Sequence, residues 1–213
     1  MNLAKSLTFA GLSLLALSAC SRRGEIDPTG GIITVRSACP VAAIPAYTGD
    51  VTLFDPAQSR DASAIDVTAT VTNLKSTCAD GAQLYTEATF DVQARRRDAS
   101  APRQVTLPYF ATIVRGGNSV VSKRVGQVTL NFAAGEYRAS ASAKAGSYVD
   151  KDAATLPADI QKRITGKRKA GDADAALDPL AQPDVKAALA RTTFELLVGF
   201  NLTQDQFKYN VTR

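Results

Sequence analysis

Residues 65–72 read Ile-Asp-Val-Thr-Ala-Thr-Val-Thr: apolar Ile65, Val67, Ala69 and Val71 alternate with polar Asp66, Thr68, Thr70 and Thr72. Successive side chains of a strand point to opposite sides of the pleat, so this spacing predicts one apolar and one wet face. Outward from there the period of two returns. Leu84, Ala88, Phe90 and Val92 share one parity, with Gln83, Glu87, Asp91 and Gln93 on the other. Val128, Leu130 and Phe132 alternate with Gln127, Thr129 and Asn131. Tyr137, Ala139, Ala141 and Ala143 alternate with Glu136, Arg138, Ser140 and Ser142, and Phe194, Leu196, Val198 and Phe200 repeat the theme. Strands with one wet face belong to antiparallel sheets. Residues 104–114 add a strand in which Pro108 suggests an edge or a bulge, and 32–36 and 51–54 are weaker candidates.

Asp80-Gly81, Asp98 to Pro102, Gly116-Gly117-Asn118 and Ala134-Gly135 punctuate these runs as turns. Seven or more short strands so spaced predict a mainly β chain, an antiparallel β-sandwich of the immunoglobulin or fibronectin type. The chain has no tryptophan, so the prediction concerns architecture and not the immunoglobulin core pattern.

The period breaks between the last two strands. Pro157 at a first helical position, Asp159 in the first turn, Ile160 and Ile164 four apart, then Lys162, Arg163 and Gly166 describe a short helix. The charged, Ala-rich, Gly/Pro-punctuated residues that follow make 155–190 a mobile insertion with one or two short helices. Thr203-Gln-Asp-Gln206 fits a capping box, flanked by Leu202 and Phe207 at hydrophobic-staple spacing. A closing helix is expected over 204–210, with Phe207 and Tyr209 packed on the sandwich.

At the other end, Lys5 precedes an apolar run from Leu7 to Leu17 that closes on Leu17-Ser18-Ala19-Cys20. A basic start, an apolar core shorter than a membrane span and small residues at the cut describe a secretory signal peptide over 1–19. Polar residues up to Gly31 form a short flexible tether, leaving 32–213 as a single domain. Cys39 and Cys78 are then an even pair in an oxidising compartment and are expected to form a disulfide. Closing that loop is worth about 3–4 kcal/mol in the chain-entropy model. A metal site would need more ligands than two distant cysteines, and the chain has no histidine.

Without histidine there is no Ser-His-Asp or Cys-His arrangement and little basis for a zinc site. No phosphate loop follows Gly116-Gly117. Glu87 and Asp91 share one strand face, where alternating exposure makes both solvated. The reading is therefore not an enzyme, with no cofactor. A net charge of +5 favours anionic headgroups, lipopolysaccharide or acidic polymers as partners. Nucleic acid is a poor candidate on location. Arg95-Arg96-Arg97, with Arg103, would form a basic rim at a hairpin tip; the competing reading is a solvated end that guards against edge pairing. Lys162, Arg163, Lys167, Arg168 and Lys169 invite the same two readings, a membrane-surface patch or a solvated loop. In Leu107-Pro108-Tyr109-Phe110 the adjacent aromatics face opposite ways: one is core, the other an interface anchor or an edge cover.

Leu-Ser-Ala-Cys resembles the lipobox of bacterial lipoproteins. The lipobox, the cysteine pair, the "LPYF" strand and the ending "VGFNLTQDQFKYN" look like an uncharacterised alphaproteobacterial envelope lipoprotein family. That family closes on Gly-Phe-x-Leu-Thr-x-x-Gln, matched by Gly199, Phe200, Leu202, Thr203 and Gln206. The resemblance implies that Cys20 is the first mature residue and carries acyl chains, several of which anchor a protein far more firmly than one. Ser21, not Asp, after the cysteine implies the outer membrane, with the domain facing the periplasm. In that setting the sequons at Asn201 and Asn210 are chance matches. The expected function is a lipid-anchored module without enzymatic activity that binds or scaffolds another envelope component. The alternative is a binder of anionic glycan or lipopolysaccharide through the basic rim.

Overall fold

Alternation of the kind seen at 65–72 builds, among the described residues, two four-stranded sheets that face each other as a sandwich. The computed structural model describes residues 37–166 and 177–213. Cys20 and its tether, the candidate strand at 32–36, and Lys167, Arg168 and Lys169 lie outside the described residues. One sheet has the order β1 (Val41–Ala43), β8 (Phe194–Phe200), β5 (Arg103–Arg115), β6 (Ser119–Phe132). The other runs β2 (Asp50–Phe54), β3 (Ile65–Asp80), β4 (Gln83–Arg96), β7 (Arg138–Asp150). Every pairing is antiparallel except β1 with β8.

The apolar parities meet between the sheets. Val67, Phe90 and Val92 from one and Leu130, Leu196 and Phe200 from the other are almost fully buried. Each such side chain contributes about 1.5–3 kcal/mol by leaving water. Five of the eight strands span 13 to 16 residues, longer than the short strands the turn spacing suggested. In β3 the alternation is interrupted at Asn73, whose φ of +53° lets two residues oppose one. Thr72 pairs with Asp91 and Lys75 with Thr89, so Asn73 and Leu74 together face Phe90.

Pro108 is a partial surprise. β5 is a central strand, hydrogen-bonded to both β6 and β8. Yet the β8 ladder ends opposite Tyr109, and the Pro108 carbonyl accepts from Asn201 N–H just beyond it (2.9 Å). A strand residue's N–H and carbonyl point to the same side, so Pro108 cannot return a bond to Asn201, and the ladder with β8 stops there.

Cys39, on the approach to β1, is joined to Cys78 of β3, with Cα atoms 6.1 Å apart. The bond ties together strands of opposite sheets.

The region 155–190 divides differently from the sequence reading. After β7, Asp150 caps α1 (Lys151–Ala154) by accepting from Ala153 N–H. Helix α3 (Pro183–Thr192) buries Val185 and Ala188 and groups with the strands, packed on α1 and β5. The β5–β6 turn comes so close to α3 that a Cβ on Gly116 would lie 2.7 Å from the Ala190 carbonyl oxygen. Only glycine fits there, and its φ of +64° is one that glycine adopts freely. The described parts of 158–182 form a unit of their own. In it, α2 (Ala158–Thr165) begins directly after Pro157 and buries Ile160 and Ile164, and a 3-10 turn spans Pro179–Ala181.

The closing helix α4 (Gln204–Thr212) starts where its cap demands. Thr203 N–H donates to the Gln206 side chain at 2.9 Å, and Gln206 N–H to the Thr203 hydroxyl at 3.2 Å. Phe207 meets Tyr47 edge-on and Tyr209 meets Phe54 edge-on, at 6.3 and 5.1 Å between ring centres. The residue that ties α4 to the sandwich most closely is Asn210. Its buried side-chain amide donates to the carbonyls of Tyr47 and Asp50, each at 2.8 Å.

Candidate functional site

The arginines 95, 96, 97 and 103 do not assemble into one rim. Arg96 has the parity of Phe90, Val92 and Ala94, so its side chain enters the sandwich and is only 3% exposed. There its guanidinium donates to the carbonyls of Ala101 (2.6 Å), Ala133 (2.8 Å) and Glu136 (2.9 Å), and lies over the Phe132 ring. Ala101 lies on the link by which the chain leaves the β4 sheet for β5. Ala133 and Glu136 lie on the link that returns it from β6 to β7. Arg96 pins the two crossings together. Arg97 donates to the Ser63 carbonyl, and Arg103 makes a two-pronged pair with Asp66, at 2.8 and 2.6 Å. Asp98 turns the first link by accepting from Ser100 N–H and hydroxyl, which holds its carboxyl below the usual range.

Arg95 and Arg97 are both exposed, but Arg97 is held by Ser63, whereas Arg95 stands in the open sheet. The register places it on the outer face of the β4 sheet, directly opposite Arg138 of β7 and beside Thr68 of β3. Sequence reading placed Arg138 on the wet parity and did not pair it with Arg95; the pairing follows from a register across a long connection, which no local pattern announces.

From this arginine pair the face extends along β4 in rows set by the ladders. Gln93 stands between Thr70 and Ser140, Asp91 between Thr72 and Ser142, and Thr89 between Lys75 and Lys144. Next come Glu87 beside Gly146 and Tyr85 beside Tyr148, whose ring centres are 4.7 Å apart. Gly146 leaves room for the Tyr85 ring, because a Cβ there would collide with the phenol oxygen. At the arginine end the sheet is concave, forming a trough of about 690 Å³ whose floor includes Thr68, Thr70, Gln93 and Ser140.

The charges on this face are unequally engaged. Asp91 accepts from Ser142 and Asn73, each at 2.7 Å, and the Ser142 bond above all keeps its carboxyl below the usual range. Glu87 accepts from the Tyr85 hydroxyl at 3.2 Å and lies 3.6 Å from Lys144. Arg95 and Arg138 are exposed, and among the described residues neither has an acidic partner within ion-pair distance. Glu87 and Asp91 sit four residues apart on one strand, roughly 13 Å, too far to act as a pair on one bond.

Of the two aromatics in "LPYF", Tyr109 faces the core side. Its ring meets Phe90 edge-on, its hydroxyl donates to the Lys144 carbonyl in the opposite sheet at 2.8 Å, and burial pushes its phenol up. Phe110 is half-buried on the other side, with the Lys123 ammonium 5.5 Å above its ring. Among the described residues no three His, Cys, Asp or Glu side chains gather to hold a metal, and no helix is long and apolar enough to cross a membrane. No family model, curated protein or solved structure matches this chain.

Proposed function

We propose that this chain is a lipid-anchored, periplasm-facing envelope lipoprotein whose sandwich is a binding or scaffolding module without enzymatic chemistry. The observation that carries the reading is the outer face of the β4 sheet. It is a long polar surface with two arginines at one end that have no acidic partner among the described residues, and with its carboxylates engaged by neighbours. Binding surfaces need exposed, chemically uneven area; catalysis needs converging groups with a proton or nucleophile to offer, and here the candidate carboxylates diverge. The sequence supports the anchor, through Leu-Ser-Ala-Cys20 behind an apolar run and Ser21 after it. Such an anchor puts the outer membrane's periplasmic face within reach of the domain.

Three measurements test this. Mass spectrometry of the N-terminal peptide is expected to find acyl chains on Cys20, and Cys20→Ser is expected to release the protein from the membrane fraction. Crosslinking in intact cells is expected to join the sandwich to an envelope component. An unmodified Cys20 would overturn the anchor, and recovery of the chain alone would overturn the scaffold.

A further inference from the structure

We infer that the outer face of the β4 sheet is a binding surface for a linear acidic polysaccharide, with Arg95 and Arg138 taking its carboxylates or phosphates. The inference rests on the reading of the domain as a binding module and names the ligand class and the site.

Three features of the face point to one occupant. The first is charge. Arg95 and Arg138 stand directly across a strand pair, where like charges repel. An anion between them relieves that repulsion and receives charge-assisted bonds from two planar donors. The carboxylates of the face are already engaged: Glu87 by Tyr85 and Lys144, Asp91 by Ser142 and Asn73, and Asp50, beside the trough, by Thr70 and Arg213.

The second is the floor. Thr68, Thr70, Gln93 and Ser140 line the trough with short hydroxyls and an amide, groups that donate and accept. That inventory suits a chain of sugar hydroxyls. A protein partner would be expected to find large aromatic or aliphatic anchors at the centre of the patch, and the apolar residues of the trough's lining are the small Ala94 and Ala139.

The third is the far end. Tyr148 is 60% exposed and leans on Tyr85, with Gly146 beneath, so aromatic surface lies open on the same face as the trough. The flat C–H face of a pyranose packs on such a ring. Ten residues of β4 separate the tyrosine row from the arginine row, roughly 33 Å. A ligand that uses both ends must therefore be an extended chain.

The test is calorimetric titration of the full chain, in mild detergent, with alginate oligomers, dextran oligomers and poly-glutamate. Alginate is expected to bind, with affinity falling as salt rises. Arg95→Gln with Arg138→Gln is expected to weaken it about tenfold or more, since two charge-assisted contacts are lost. Tyr148→Ala is expected to weaken it at both low and high salt. An unchanged melting temperature in the variants separates lost contacts from lost folding. Equal binding of poly-glutamate would reduce the face to a general anion attractor and overturn the glycan assignment. Equal binding of dextran would overturn the role of charge, and full affinity in the arginine variant would overturn the site. Failure of alginate to bind, with the crosslinked envelope partner retained, would overturn this inference and leave the scaffold reading standing.

Discussion

Arg95 and Arg96 are neighbours in sequence and belong to opposite regions of the molecule. Arg96 lies in the corner where the chain passes between sheets, and its guanidinium is consumed by three backbone carbonyls of two different links. Arg97 and Arg103 belong to the same corner, one bonded to Ser63 and the other to Asp66. Arg95 lies on the outer sheet face, opposite another arginine and with no acid in reach among the described residues. The corner uses cations as fixed donors that join separate links of the chain. The face keeps them solvated. A run of like charge in a sequence therefore need not be one surface, because a strand sends alternate residues to opposite sides.

The largest effect should come from the corner. Arg96→Ala strands carbonyls at Ala101, Ala133 and Glu136 and empties the space over Phe132. Three charge-assisted bonds of a nearly buried guanidinium are lost, partly offset by water reaching the carbonyls of these exposed residues, so a loss of about 3 kcal/mol is expected in denaturant unfolding. Arg96→Lys should recover only part of it, because an ammonium cannot present the same planar fork. A loss below about 1 kcal/mol would remove the distinction between corner and face.

Arg103→Ala should show a smaller effect from the same corner. Its pair with Asp66 is two-pronged, but the Arg103 side chain is 43% exposed, so solvent screens the pair. A loss of about 1 kcal/mol is expected, most of it from the lost donors to nearly buried Asp66. If it equalled the Arg96 loss, burial would not be what sets the ranking within the corner.

How much of this was legible depends on range. The two-residue period of the core strands, from which the sandwich is inferred, and the closing helix with its capping box are set by residues close in sequence, and the pattern shows them. Arg96 was legible too. It extends the parity of Phe90, Val92 and Ala94, but three consecutive arginines draw the eye to charge before parity. The pairing of Arg95 with Arg138 lies across a register set by the whole β4–β7 ladder. So does the position of Pro108, which depends on where β8 departs from a central strand. Asn210 carried no local sign of its bonds to Tyr47 and Asp50, because partners some 160 residues away leave no periodicity.

The smallest effect on stability, and the sharpest test of the comparison, belongs to the face. Arg95 and Arg138 make no bond that the fold depends on, and their opposed guanidiniums repel across the strand pair. Replacing both with Gln should leave unfolding within about 0.5 kcal/mol of the parent, with any change upward. The gain should fade as salt is raised, since screening already removes the repulsion. The result to measure is the difference between unfolding free energies at low and high salt for parent and variant. A stabilisation that salt abolishes would mark two cations held in place against an electrostatic penalty, as a binding surface requires. A destabilisation above about 1 kcal/mol would instead assign Arg95 to the architecture, alongside Arg96, and the face would lose its claim to be different.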